Sequence, residues 1–484
     1  MKKLIIVQMN DSHAYLNLHP ELFWENGHAA YRYAGGYSRV AAVLQQIRAE
    51  TPDQVLFLDG GDTFHGTYPA VQSRGAALVP ILNALKPAAM TAHWEFAYTP
   101  QGVKHLAGQL DYPILAANIY QEPTAPAGSQ LFLPPYKVIE MAGLRIGVVG
   151  IASNIVDKSM PPEFSEGLTF TNGRQELPGL IQKLREEEKV QLVILLSHLG
   201  FPQDMELLRQ VPGVDVALSA HTHHRLEHAV QQGSALVVQS GSHGSFLTRL
   251  DLEIEEDGRI HNFRHRWIVV GEGIDPDPEV EALVREAGAP YREELQQVVG
   301  STRLPLDRGL NLETTADNFL LSALLQHTGA EIAFSNGWRY GAPILPGPIR
   351  LDDLYNLAPM NPPISTVELS GKEIRTMLEK NLEHTFSRDP FQQMGGYVKR
   401  CLGLRALIKI ENPPGERIQK LFAGHTEVRP DARYQAAFIT EQGVPAQFGQ
   451  NRQQHPEKLI PVLQEYLKNN PPLTMGLAGT FTVI

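Results

Sequence analysis

The stretch Leu56-Phe57-Leu58-Asp59-Gly60-Gly61-Asp62-Thr63 decides how this chain is read. An apolar run rises out of polar sequence, stops on a glycine pair and delivers a carboxylate at the turn. In an α/β protein this predicts a buried strand with Asp62 at its carboxyl end, where open sheets keep their active sites. One aspartate there carries little weight, because aspartates cap helices and close turns everywhere. Four further segments end in the same way. Residues 3–8 lead to Asp11 and His13, residues 88–92 to His93, residues 191–196 to His198, and residues 214–218 to His221 and His223.

Length and charge bound the function. At 484 residues the chain exceeds the size at which single cores stop growing, so two domains are expected. A net charge of −11 argues against nucleic acid or an anionic membrane as a partner held by bulk electrostatics. It leaves room for an anionic small substrate, because a bound cation inverts the local field. The single cysteine, Cys401, excludes an internal disulfide. The run Leu4-Ile5-Ile6-Val7 is too short for a signal-peptide core, and no apolar run approaches a membrane span. The expectation is a cytoplasmic protein, or a periplasmic or secreted one if a leader was trimmed.

The pattern predicts an α/β fold. Strands are expected at 55–58, 191–196, 214–218, 235–239 and 247–255, with a helix at 37–49 whose inner face is Val40, Val43, Leu44 and Ile47. A boundary is expected after residue 272, where Asp275, Pro276, Asp277 and Pro278 make a turn. Residues 279–298 read as a polar connecting helix belonging to neither core. The expected domains are 1–272 for catalysis, 273–300 as the connecting helix, and 301–484 as an α+β substrate-binding domain.

The chemistry lies in the strand tips. Residues i and i+2 of an extended tip point the same way, so both ends of Asp11-x-His13 and of His221-x-His223 can face one cation. Mixed Asp and His donors suit borderline divalent ions such as manganese or zinc. Two such ions sharing one carboxylate can activate water and hold the oxygens of a phosphorus or sulfur ester.

In this order, Asp-x-His, Gly-Gly-Asp, a Glu-Phe loop, Ser-His-Leu-Gly and His-Thr-His, the chain resembles the calcineurin-like metallophosphoesterases of the 5′-nucleotidase and UDP-sugar hydrolase group. The resemblance implies a two-sheet sandwich with flanking helices, followed by a 5′-nucleotidase-type C-terminal domain. It implies Asp11, His13, Asp62 and His223 around one metal, and Asp62, His198 and His221 around the other, with Asp62 bridging. The departure is Ala92-His93-Trp94-Glu95-Phe96, where that group has Gly-Asn-His-Glu. His93 stands at the metal-binding Asn and Trp94 at the catalytic His. Imidazole can replace the amide as a ligand, but indole cannot move a proton at neutral pH. The His-Trp-Glu-Phe loop, and the later run Asp389-Pro390-Phe391-Gln392-Gln393-Met394-Gly395-Gly396, are similar to the thiosulfate-oxidising (Sox) hydrolases of the same superfamily.

Asp62, His93 and Arg339 are therefore the expected catalytic residues, and Arg339, Asn336, Trp338, Phe391 and Trp94 the expected substrate contacts. Arg339 supplies a forked cation for a phosphate or sulfonate. Asp59 is a candidate partner for a ligand imidazole. Three readings follow. The leading one is a dinuclear-metal hydrolase of phosphate monoesters, nucleotides above all, working through metal-activated hydroxide. The alternative is a Sox-type thiosulfohydrolase that releases sulfate from a cysteine S-thiosulfonate on a carrier protein. The third is a metal-binding protein that has lost turnover.

Overall fold

The structure, a computed structural model, describes residues 1–121, 130–395 and 397–484, so Gly396 of the Asp389 run lies outside the described residues. It divides into two compact units, residues 1–19 with 33–290 and residues 20–32 with 291–484.

The first unit is built on two sheets. Their strands in chain order are β1 (Lys2–Met9), β2 (Val55–Asp59), β3 (Tyr136–Met141), β4 (Leu144–Ile151), β5 (Leu192–Ser197), β6 (Val216–Leu218), β7 (Val230–Gln232), β8 (Ala235–Val238), β9 (Phe246–Ile254) and β10 (Ile260–Val269). One sheet runs β10-β9-β1-β2 and the other β7-β8-β6-β5-β4-β3. The period-2 alternation of β1 explains the layering. Leu4 and Ile6 turn into the layer between the sheets, where they join Leu56, Leu58, Leu144, Ile146, Ile194, Leu196, Leu250 and Leu252. Ile5, Val7 and Met9 turn the other way, into a core shared with Val40, Leu44 and Ile47 of the helix Tyr37–Glu50. Both faces of that sheet are buried, which is why its central strands read as continuous apolar runs.

The parallel pairs β1–β2, β4–β5 and β5–β6 bring their carboxyl ends to one edge of their sheets. The loops that carry Asp11, His13, Asp62, His198, His221 and His223 start from those ends, whereas the expected strand before His93 is only a single bridge residue, Met90, paired with Asp59 and Ile114.

Two sequence expectations need correction. The expected connecting helix is the shorter Pro278–Gly288, capped by Asp277, whose carboxylate accepts the Val280 N–H at 2.8 Å. Pro290 lacks the N–H that a continuing helix needs. Val280 and Val284 are buried in the core of the first unit, so this helix is not a free connector. The stretch 1–272 is also not one continuous body, because residues 20–32, inside the strand pair His19–Glu25 and His28–Ala34, belong to the second unit. The polar strand β10 was not foreseen either. It is an edge strand with no sustained apolar run.

The second unit has a five-stranded sheet ordered Arg400–Leu402, Ile332–Ser335, Arg433–Ile439, Pro363–Ser370 and Gln450–Lys458. The helix Gly371–Phe386 packs on it, started by a capping box between Ser370 and Glu373. No helix among the described residues is long and apolar enough to cross a membrane.

Candidate metal centre

The Gly60-Gly61 pair lets the β2 tip come close to its neighbours. A Cβ on Gly60 would lie 2.6 Å from the Asn10 Cβ, and one on Gly61, at φ +86°, would lie 2.7 Å from the Thr91 carbonyl oxygen. Asp11, His13, Asp62, His221 and His223 all hold left-handed φ between 47° and 70°. Such strain costs on the order of 1–3 kcal/mol per residue and persists only where the surroundings over-determine it. Here it gathers on the expected ligands.

These side chains form two groups. The donor atoms of Asp62, His93, His198 and His221 lie within 4.8 Å of one another, as do those of Asp11, His13 and His223. Asp62 Oδ2 joins the groups, at 3.0 Å from His93 Nδ1, 3.2 Å from His198 Nε2 and 3.9 Å from His13 Nε2. Asp11 Oδ1 is 3.3 Å from His223 Nε2 and 3.6 Å from His198 Nε2. Asp62 thus lies against imidazoles of both groups.

The surroundings prepare the imidazoles for ligation. His198 donates Nδ1–H to the Gly60 carbonyl at 2.6 Å and His13 donates Nδ1–H to the His65 carbonyl at 3.1 Å, which leaves each Nε2 toward the cluster. These partners are carbonyls. Asp59, expected to pair with an imidazole, instead accepts the Thr63 hydroxyl and the Gly61 N–H. Burial raises Asp59 to about 7 against those bonds.

Charge is unevenly distributed. Burial alone would raise Asp62, but the His93 and His198 imidazoles outweigh it and hold the carboxylate well below its usual range. Burial opposes a charged His198, yet Asp62 and Asp11 raise it to about 10, and burial takes His13 down to about 3. The cluster therefore stabilises a cation between two carboxylates. The fit to divalent metal is supported by the buried His93 Nε2, which has no hydrogen-bond partner among the described residues. Carboxylate and imidazole donors in this mixture suit a borderline divalent ion.

Trp94 lies beside this cluster. Its backbone N–H donates to Asp62 Oδ1 at 2.7 Å, and its indole stacks on His65 with centroids 4.7 Å apart and planes 23° apart. Its ring lies 6.3 Å from that of Phe164, centroid to centroid, with the planes 70° apart. The ring at this position is thus packed and carries no titratable group.

The remaining expected residues belong to the second unit. Asn336 and Arg339 are partly exposed in the loop after Ile332–Ser335, and the Arg339 guanidinium lies 4.9 Å from the Tyr397 ring centroid. Trp338 and Tyr340 are buried and stack on one another at 6.0 Å. Phe391 is partly exposed on the short turn Pro390–Gln392. Sequence reasoning missed the side chains that hold the ligand loops. Asn10 donates to Asp11 Oδ2 and accepts from Ser240, while Glu95 accepts backbone N–H groups of two loops. A carboxylate beside Phe96, Ala97 and Tyr98 was the available signal for Glu95.

Residues 4–225 match the calcineurin-like phosphoesterase family, and residues 297–440 match the 5′-nucleotidase C-terminal domain. The chain joins a calcineurin-like phosphoesterase domain to a 5′-nucleotidase C-terminal domain. It is accordingly a metal-dependent hydrolase. Human 5′-nucleotidase is 27% identical over 457 residues, covering 87% of this chain and 78% of its own. The trifunctional nucleotide phosphoesterase YfkN of Bacillus subtilis is 25% identical over 462 residues, but this chain spans only 30% of its length. The structure of the sulfate thiohydrolase SoxB of Thermus thermophilus superposes with a TM-score of 0.91 at 26% identity, covering 99% of this chain and 96% of that one.

Proposed function

We propose that this protein is a two-metal hydrolase that releases sulfate from a cysteine S-thiosulfonate on a carrier protein. The observation that carries this reading is Trp94, a packed indole at the position where the resemblance implies the catalytic histidine of the nucleotidases. The likeness to the sulfate thiohydrolase over nearly all of both chains supports it.

The argument rests on the leaving group. Breaking a phosphate monoester expels an alkoxide, a base comparable with hydroxide, which benefits from a proton or a strong donor. Breaking the bond between the terminal sulfonate sulfur and the next sulfur expels a sulfur anion, and an ordinary thiol has a pKa of about 8.5. The water oxygen bonds to the sulfonate sulfur and its two protons pass to solvent, that sulfur–sulfur bond breaks, and its electron pair stays on the carrier's sulfur. No external oxidant or reductant is needed. A site without a proton-moving group at position 94 suits the second reaction better.

In this reading Asp11, His13 and His223 would hold one divalent ion and His93, His198 and His221 the other, with Asp62 beside both groups. Two such ions supply an acidified water and a clamp on the substrate oxygens. Asp62 keeps one oxygen on the Trp94 N–H, and the Gly60 and His65 carbonyls fix the His198 and His13 tautomers.

The second reading is hydrolysis of nucleotides or similar phosphate monoesters, favoured by the human 5′-nucleotidase relative. The burial of Trp338, one of the expected substrate contacts, weakens it. The test is a screen of manganese-loaded protein against a cysteine S-thiosulfonate peptide, 5′-nucleotides, UDP-sugars and simple phosphomonoesters. Sulfate from the peptide with nucleotides inert is the expected result. Phosphate from nucleotides with the peptide inert would overturn the first reading in favour of the second.

A further inference from the structure

Glu95 belongs to no ligand group, yet it connects the two loops that carry Asp62 and His93. Its Oε1 accepts the N–H groups of Thr63 at 2.7 Å and Phe64 at 3.4 Å, and its Oε2 accepts the N–H of His93 at 2.7 Å. Asp62 makes the return connection. Its Oδ1 accepts the Trp94 N–H at 2.7 Å, and its Oδ2 accepts His93 Nδ1–H at 3.0 Å. The two carboxylates therefore form a reciprocal clasp, each reaching the other's loop.

The chemistry of Glu95 matches this task. It is fully buried and forms no ion pair among the described residues, an expensive state for a carboxylate. Its partners in the clasp are backbone donors on both of its oxygens. Only an ionised carboxylate accepts at both ends, whereas glutamine would turn an NH2 group toward one of those N–H groups. The clasp also spans the left-handed Asp62, at φ 58°, whose backbone needs external restraint.

We infer that Glu95 is a positioning residue: it sets the separation of the Asp62 and His93 loops and so the affinity of the cluster that contains both. This rests on the metal-centre reading above. Glu95 touches no substrate, and it acts through Asp62 and His93.

The test is Glu95→Gln, with metal-free protein titrated with manganese by calorimetry and bound metal counted by elemental analysis. The expected result is a folded variant in which one of two binding steps weakens 10- to 100-fold, the usual effect of losing a partner behind a metal ligand. Its electron paramagnetic resonance spectrum at two equivalents should shift from a spin-coupled pair toward isolated ions. Both affinities staying within about threefold of wild type, with the coupled signal intact, would overturn the inference. Wild-type protein that binds no manganese would instead overturn the metal-centre reading itself. If the Gln variant does not fold, Glu95→Asp, which withdraws the carboxylate by one methylene, is read in the same way.

Discussion

Replacing Trp94 by histidine tests the reasoning about the leaving group. The Trp94 backbone N–H holds Asp62 Oδ1 at 2.7 Å, and a side-chain exchange leaves that bond in place. What changes is the indole, stacked on His65 at 4.7 Å and with the Phe164 ring centroid 6.3 Å away. Losing this half-buried packing costs on the order of 1–2 kcal/mol of stability, since imidazole covers less apolar surface. Placing a proton-moving group beside the cluster should lower the barrier for phosphate monoesters. General acid–base assistance contributes roughly 100- to 10,000-fold, or about 3–5 kcal/mol. The assay compares kcat for AMP and for the thiosulfonate peptide in wild type and Trp94→His, both loaded with manganese. Nucleotide turnover should rise by roughly 100-fold or more while sulfate release gains far less. A folded, fully loaded variant with nucleotide turnover unchanged would refute the reasoning.

Other perturbations follow from the same geometry. Asp62→Ala removes the oxygen that lies against imidazoles of both groups, so bound metal should fall below two per chain and turnover to background, read by elemental analysis and activity. Burial raises Asp204 from 3.8 to about 7 against the Ser197 and Ser219 hydroxyls. The unfolded carboxyl therefore ionises first, and this group's stabilisation, complete below pH ~4, is lost as pH rises through ~7, by on the order of 4 kcal/mol. Denaturant titrations of metal-free protein should show Asp204→Asn gaining on wild type across that window, and parallel curves would contradict it.

Much of the fold was legible because both faces of the central strands are buried. β1, β2 and β5 appear as apolar runs, and the turn chemistry of Gly60-Gly61 marks where one of them stops. Six of the seven candidate ligands follow a strand end, while His93 follows only the isolated bridge residue Met90 rather than the strand expected there, and their donor atoms fall into two groups. The edge strand β10 was not, because its half-exposed polar sequence carries no sustained apolar run. Nor was the departure of residues 20–32 to the second unit, which depends on tertiary packing rather than local pattern. The helix Pro278–Gly288 looked like a connector because only Val280 and Val284 are buried in it. Support of the ligands was the least visible part. Glu95 and Asn10 act through backbone groups of distant loops, and Asp59 turned inward to Thr63 rather than to an imidazole.

The most direct test of the central claim is hydrolysis of the cysteine S-thiosulfonate peptide by manganese-loaded protein in 18O-labelled water. Attack at the terminal sulfur predicts released sulfate carrying one oxygen from water and a peptide that carries none. Absence of labelled sulfate from a protein that readily hydrolyses AMP would contradict the account.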